Sequence, residues 1–400
     1  MASETLLTEP ARTRQSSNAP PNGAGTRLAS LDVIRGLAVA GMILVVSPGA
    51  WEYSYAPLRH AEWYGWTLAD MVFPLFLFAV GVAIIFSFTA HLARGASKQT
   101  LALRILRRSA IILVLGLVLN AFPNFDFPHL RIPGILQRIA VCYAIASFFS
   151  LAFWRTDGTN NRSLFVRLSA AAVAMLISYW ALLAFVPVPR FGAGRLDSLG
   201  SLPAYIDRQV FSIPHLWPYG TTPGYGVTFD PEGLLSTLPA TVTVLIGALC
   251  GLWLKTTTSS SRRVIGIAAA GACCVLLGLA LNPFIPVVKK IWTDSFVFFS
   301  AGFALLVFAA VYWLCDIRGL RAWSYPLRVL GSNAILAFTL SQLTGDYLDK
   351  PWAIRASSFN WLHSVFPNAY VASFAFAVLN LLAIVAILAP FYHRRIFVRV

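Results

Sequence analysis

The sequence predicts an all-α integral membrane protein, a bundle of about ten transmembrane helices with both termini in the cytoplasm. Of its 400 residues, 58% are hydrophobic and only 12% are charged, against roughly 45–50% and a quarter in a soluble domain. So few charges cannot clothe a soluble surface of this size, and the apolar excess has to face lipid. The apolar residues fall in runs close to the ~20 residues that cross a hydrocarbon layer. Lys and Arg gather at the ends of alternate runs, as the positive-inside rule demands.

The net charge of +15 and a pI near 10.0 invite a nucleic-acid reading. The cations sit where membrane topology puts them, so no nucleic-acid partner is expected. The five cysteines (Cys142, Cys250, Cys273, Cys274, Cys315) lie in or beside apolar runs, without the spacing of a zinc site or a disulfide framework, and read as packing residues. Six scattered histidines with no H-E-x-x-H or C-x-x-C pair give no metal site.

Residues 1–26 are rich in Pro, Ser, Thr, Asn and Gly and lack an apolar core, which reads as a disordered cytoplasmic arm and not a cleaved signal peptide. Residues 27–400 form a single transmembrane unit. Its spans fall near 28–47, 71–90, 107–122, 135–154, 164–186, 234–254, 263–281, 294–314, 328–345 and 368–390, the third and ninth being short. Arg94, Lys98, Arg104, Arg107 and Arg108 fill one loop, and Arg155, Arg162, Lys255, Arg262, Arg263, Arg318 and Arg321 fill alternate later ones, so these are the cytoplasmic loops. Arg394, Arg395 and Arg399 place the C-terminus on the same side, which requires an even number of spans. The opposite loops are rich in Trp, Tyr, Pro and Gly, and the longest, 187–233, has the length of a functional segment. No internal repeat is visible, which disfavours an inverted-repeat transporter.

Ionisable residues within a span cost a few kcal/mol each and need a partner or a purpose. Asp32 and Arg35, three apart, share a helix face and read either as a structural ion pair or as a phosphate ligand beside the cytoplasmic interface. The stretch from His60 through Trp63 to Asp70 joins an imidazole to a carboxylate at a helix mouth, a base or acyl-accepting nucleophile with its orienting group, or else an interfacial aromatic belt. Gln137 and Arg138 stand about a turn inside the fourth span, where Arg138 needs Asp70, Asp230, Glu232 or an anionic ligand as its partner. Asp230 and Glu232 lie at the positive end of the sixth span, as capping groups or as an attraction for a cationic or hydroxylated substrate. Lys289 and Lys290, with Trp292, break the positive-inside rule by falling in an outer loop, which favours a role at the outer end of a site. Gly331-Ser332-Asn333 lies early in the ninth span.

Taken in order, these clusters resemble the heparan-α-glucosaminide N-acetyltransferase family. The resemblance rests on Leu31-Asp32-Val33-Ile34-Arg35-Gly36, His60-Ala61-Glu62-Trp63 through Asp70-Met71-Val72-Phe73-Pro74, Gly134-Ile135-Leu136-Gln137-Arg138, Asp230-Pro231-Glu232-Gly233, Lys289-Lys290-Ile291-Trp292 and Gly331-Ser332-Asn333-Ala334. The sequence departs from that pattern at Ser47, ahead of Pro48-Gly49, and at Val288, where the family carries Asn. Ser47 keeps one hydrogen-bonding group and Val288 keeps none.

The resemblance implies a transmembrane acetyltransferase that takes acetyl from cytoplasmic acetyl-CoA and delivers it to the amine of a glucosamine-type sugar across the membrane. The family's active-site histidine falls on His60, with Asp70 to orient it. Arg35, Arg104 and Arg108 would hold the CoA phosphates, Gln137, Arg138 and Asn333 the rest of the donor, and Ser47, Trp63, Asp230, Glu232, Lys289, Lys290 and Trp292 the acceptor. Lysosomal members carry an extra luminal domain and a leading span, so a bacterial inner-membrane form in a lipid bilayer is expected, and a homodimer is compatible with it. Two rivals remain at this point: an O-acyltransferase of a cell-envelope glycan or lipid, and a sugar or anion transporter.

Overall fold

The computed structural model describes residues 28–154, 161–256, 259–349 and 354–398. The expected arm at 1–26, and the orienting charges Arg155 and Arg399, lie outside them. Among the described residues the protein is mostly helical: α1 Ala29–Val46, α2 Leu68–Leu92, α3 Lys98–Ala121, α4 Ile135–Phe153, α5 Asn161–Phe185, α6 Leu202–Val210, α7 Thr237–Thr256, α8 Ser260–Leu281, α9 Asp294–Tyr312, α10 Tyr325–Ser332, α11 Ala334–Asp349, α12 Ile354–Val365 and α13 Ala369–His393. Each of the ten expected segments falls on a helix. Eight are long and apolar enough to cross a membrane: α1, α2, α4, α5, α7, α8, α9 with the π turn that follows it, and α13.

The other two depart from expectation for local reasons. The third segment is longer than its apolar part: Ser97 caps α3 by accepting the Thr100 amide at 3.1 Å, and Arg is a good helix former. Arg104, Arg107 and Arg108 therefore stand on the helix and not in a loop. The ninth segment breaks at Asn333 into α10 and α11. The long connection 187–233 is ordered. It holds α6 and a two-stranded antiparallel hairpin, β1 Thr221–Thr222 and β2 Gly226–Val227, with Thr221 opposite Val227 and Thr222 opposite Gly226.

The bundle is layered by burial. Most of the apolar window of α2 and of α7 is enclosed, 78% in each, against 17% for α8, so α2 and α7 form the centre and α8 faces outward. Glycine lets the central helices touch backbone to backbone, as small residues do in membrane bundles. A Cβ on Gly81 of α2 would lie 1.9 Å from Val244 O, and one on Gly247 of α7 would lie 2.1 Å from Phe78 O. The same device seats α10 against α1, where a Cβ on Gly36 would meet Leu327 O and one on Gly331 would meet Asp32 O, each at 1.8 Å. The N-terminus of α1 is held by Asp316, whose carboxylate accepts the Ala29 and Ser30 amides at 3.0 and 2.9 Å, a negative charge at the positive end of a helix.

Candidate active site

Two polar regions lie at opposite ends of α2. At its N-terminal end His60 Nδ1 is 2.7 Å from Asp70 Oδ1. Asp70 Oδ2 accepts the Ala61 amide at 3.1 Å, the Thr67 amide at 2.9 Å and the Thr67 hydroxyl at 3.1 Å. A carboxylate on the third residue of a helix that reaches back to the N-cap amide is half of a capping box, so the sequence places Asp70 by local rules. The carboxylate is enclosed while the imidazole is 43% exposed, which leaves Nε2 free to face a substrate. With Nδ1–H donating to Asp70, Nε2 carries the lone pair of a base or nucleophile.

Around this pair the loops at this end of the bundle interlock. Gly65 N–H donates to Val287 O at 2.8 Å, tying the His60 segment to the 286–293 loop. The Lys290 ammonium donates to Glu62 O and lies over the rings of Trp63 and Phe229 at 5.7 and 5.3 Å. Burial, reinforced by Lys289, lowers the Lys290 pKa. Trp63 Nε1–H donates to Leu196 O at 2.8 Å, fixing that ring in place.

Asp230 and Glu232 are buried and share one cation, Arg131, which the sequence reading did not single out. Arg131 Nε and Nη2 donate to the two Asp230 oxygens at 2.9 and 2.6 Å, and Nη2 also donates to Glu232 Oε2 at 2.6 Å. Burial works against the guanidinium's charge, but Asp230 and then Glu232 outweigh it and raise its pKa. Burial likewise opposes the Glu232 charge, yet Lys289 (3.7 Å away), Arg131 and Arg138 hold its pKa at about 2. Both carboxylates are thus satisfied within the protein, and a cationic acceptor would have to displace one of these pairs. A cation two residues before Pro133, in a loop expected to be external, was the available signal, the same anomaly that singled out Lys289 and Lys290.

Arg138 pairs with none of the three expected carboxylates. Its Nη2 donates to Gly233 O at 2.9 Å and to the Ser236 hydroxyl, while Nε and Nη1 are buried without a partner, as is Gln137 Nε2. Unsatisfied buried donors are costly and mark a place for acceptor atoms of a ligand or water. The Trp292 ring lies under this guanidinium at 5.3 Å, between Phe73 and Phe296, and is wholly enclosed. It supports the site from beneath and offers no open face for a sugar to stack on. Ser47, at the end of α1, is buried with its hydroxyl unpaired.

At the other end of α2 a cavity of about 660 Å³ opens among Arg35, Arg104, Arg107, Arg108 and His91. Arg104, Arg107 and Arg108 are spaced three and four apart and so share one face of α3. Arg35 pairs with Asp32. Arg108 stacks over Tyr143 at 4.8 Å with its Nε buried and unpaired. The α2 wall runs from His91 to Phe76, about 22 Å at 1.5 Å per residue, and ends about 9 Å along the helix from Asp70. The lining combines these guanidinium groups with the apolar side chains of Phe76, Val80, Ile112, Leu136 and Ile139. Asn333 does not line this cavity; its neighbours Ser332 and Ala334 do. Among the described residues no group of three or more His, Cys, Asp or Glu could hold a metal.

Residues 27–285 match the family model for the catalytic region of heparan-alpha-glucosaminide N-acetyltransferase. The chain is 30% identical to the mouse protein of that name over 369 residues, 83% of this chain and 56% of the relative. It is 29% identical to the human protein over 368 residues, 82% of this chain and 55% of the relative. The chain thus spans little more than half the length of these relatives. With the model covering well over half of its residues, this multi-pass membrane protein belongs to the heparan-alpha-glucosaminide N-acetyltransferase family.

Proposed function

We propose that this chain, a single transmembrane acyltransferase unit over residues 27–400, carries acetyl from acetyl-CoA in the cytoplasm to the amine of a glucosamine-type sugar in the periplasm of a bacterium. One observation carries the proposal: an arginine-mouthed, apolar-walled cavity runs along α2 from His91 toward the level of the His60–Asp70 pair. CoA is polyanionic at its nucleotide end and slender at its thioester end. Guanidinium forks suit phosphate oxygens, and the unpaired Arg108 Nε fits an anion that supplies the missing acceptor. The apolar walls suit the pantetheine arm. The cations Arg94, Lys98, Arg262, Arg263, Arg318, Arg321, Arg394 and Arg395 favour a cytoplasmic position for the cavity mouth.

At the far end the acceptor's neutral amine attacks the thioester carbonyl, the C–S bond breaks, and the thiolate leaves. His60 Nε2 takes the proton released from nitrogen and passes it to the thiolate, or first takes the acetyl as an acyl-imidazole and then gives it to the amine. The unpaired Arg138 and Gln137 donors orient and polarise the thioester oxygen. Trp63, Lys289 and Lys290, with Asp230 and Glu232 behind them, and Ser47 shape the acceptor side.

Purified protein incubated with labelled acetyl-CoA and a panel of amino sugars, muropeptide fragments included, tests the proposal. The expected product is an alkali-stable amide, with release of one CoA per acetyl transferred. An alkali-labile ester would move the acceptor to a hydroxyl, and substrate uptake into proteoliposomes without CoA release would replace the enzyme by a transporter. A burst of CoA equal to the enzyme in the absence of acceptor identifies the acyl-imidazole route.

A further inference from the structure

The break in the ninth segment is filled from an unexpected quarter. Asn333 is buried, and its Nδ2–H donates to Ile396 O at 3.1 Å while its Oδ1 accepts the Val398 amide at 2.8 Å. A side chain thus grips the backbone 63 and 65 residues further along, much as a strand partner would. The gripped segment leaves α13 through Arg395 at φ 56, with Ile396 N–H returning to Phe391 O at 2.8 Å. It lays Phe397 and Val398 in the lining of the cavity, together with Ser332, Ala334, Ile335 and Arg35. None of residues 396–398 is buried, so their place depends on the few bonds that hold them. On the opposite side α10 is fixed against α1 by the Gly331 and Gly36 contacts, so the grip is anchored on rigid backbone.

We infer that residues 396–398 are a strap across the arginine-lined cavity that retains the bound donor, and that Asn333 is a positioning residue that holds the strap and does not touch the donor. The inference rests on the proposed binding of acetyl-CoA in this cavity. The reacting atoms lie at the other end of α2, so a loosened strap speeds loss of the donor without altering the chemical step.

The test compares the full chain with Asn333→Ala, Asn333→Asp, Phe397→Ala and a chain ending at Arg395, singly and with Asn333→Ala combined with the shortened chain. Steady-state kinetics and CoA dissociation rates are the readouts. Asn333→Ala and the shortened chain should each raise the acetyl-CoA KM and the dissociation rate by on the order of tenfold, the worth of one or two net hydrogen bonds. The combination should do no more than either alone, with kcat and the acceptor KM unchanged. Asn333→Asp, which keeps the acceptor for Val398 N–H, should fall between, and Phe397→Ala should weaken retention with the clamp intact. Additive effects would put Asn333 on the donor itself and overturn the strap, as would an unchanged KM in the shortened chain. The shortened chain loses no core residue, so it decides the question if Asn333→Ala fails to fold. A full chain that binds no CoA at all would instead overturn the donor site, a different outcome from binding that the variants leave unchanged.

Discussion

Asp70 serves His60 and its own helix with one carboxylate: Oδ1 holds the imidazole Nδ1 at 2.7 Å, and Oδ2 closes the first turn of α2 on the Thr67 amide at 2.9 Å. The group that orients the imidazole is therefore itself fixed by the start of the central helix.

On the proposed mechanism, replacing His60 by Ala removes the imidazole that takes the proton or the acetyl. Acetyl transfer should fall to background while the purified protein keeps its melting temperature, because the half-exposed imidazole loses little packing. Asp70→Asn keeps a side chain of the same shape but loses the charge that fixes the tautomer, and kcat should drop by roughly 10²–10⁴. Wild-type turnover in His60→Ala would remove the imidazole from the mechanism.

Arg104→Ala, Arg107→Ala and Arg108→Ala act at the other end. Each should raise the acetyl-CoA KM by roughly tenfold, the worth of one charge-assisted hydrogen bond to phosphate, with the acceptor KM unchanged. Kinetics with the two substrates varied in turn would separate this from a general loss of fold, which moves both.

Arg131→Ala takes the shared cation from the buried carboxylates of Asp230 and Glu232 and leaves Lys289 beside Glu232. Removing one partner from a buried ion network costs about 3–5 kcal/mol, so a large fall in melting temperature in detergent is expected. Arg131→Lys should recover only part of it, because an ammonium cannot repeat the forked contact with Asp230.

Asp207, on α6, gives a pH dependence. Burial pushes its pKa up to about 7, and the Leu234 amide at 2.8 Å is not enough to reverse this. A carboxyl whose folded pKa exceeds the unfolded value favours the folded state at low pH and loses that contribution as pH rises from about 4 through 7. Asp207→Asn stays neutral and keeps the acceptor for Leu234. The variant's melting temperature relative to wild type should therefore be higher at pH 8 than at pH 5, and a difference independent of pH would contradict the assignment. Gly233 lies against this carboxyl, with 1.8 Å from its would-be Cβ to Asp207 Oδ2, so Gly233→Ala should disturb the same contact at every pH.

By itself the sequence determined the membrane class, the approximate places of the helices and the clusters from which the candidate site is built. These depend on local quantities: the length of an apolar run, a capping carboxylate three residues from Thr67, the cost of an ion in hydrocarbon. Tertiary structure decided who meets whom. It gave Asp230 and Glu232 to Arg131 across 99 and 101 residues, left Arg138 to Gly233 and Ser236, enclosed Trp292, put three arginines of α3 around a cavity, and turned Asn333 toward the C-terminal segment. A side chain's need for a partner is written in its own chemistry, but which partner satisfies it depends on helices brought together by packing across the whole bundle, and no local pattern encodes that.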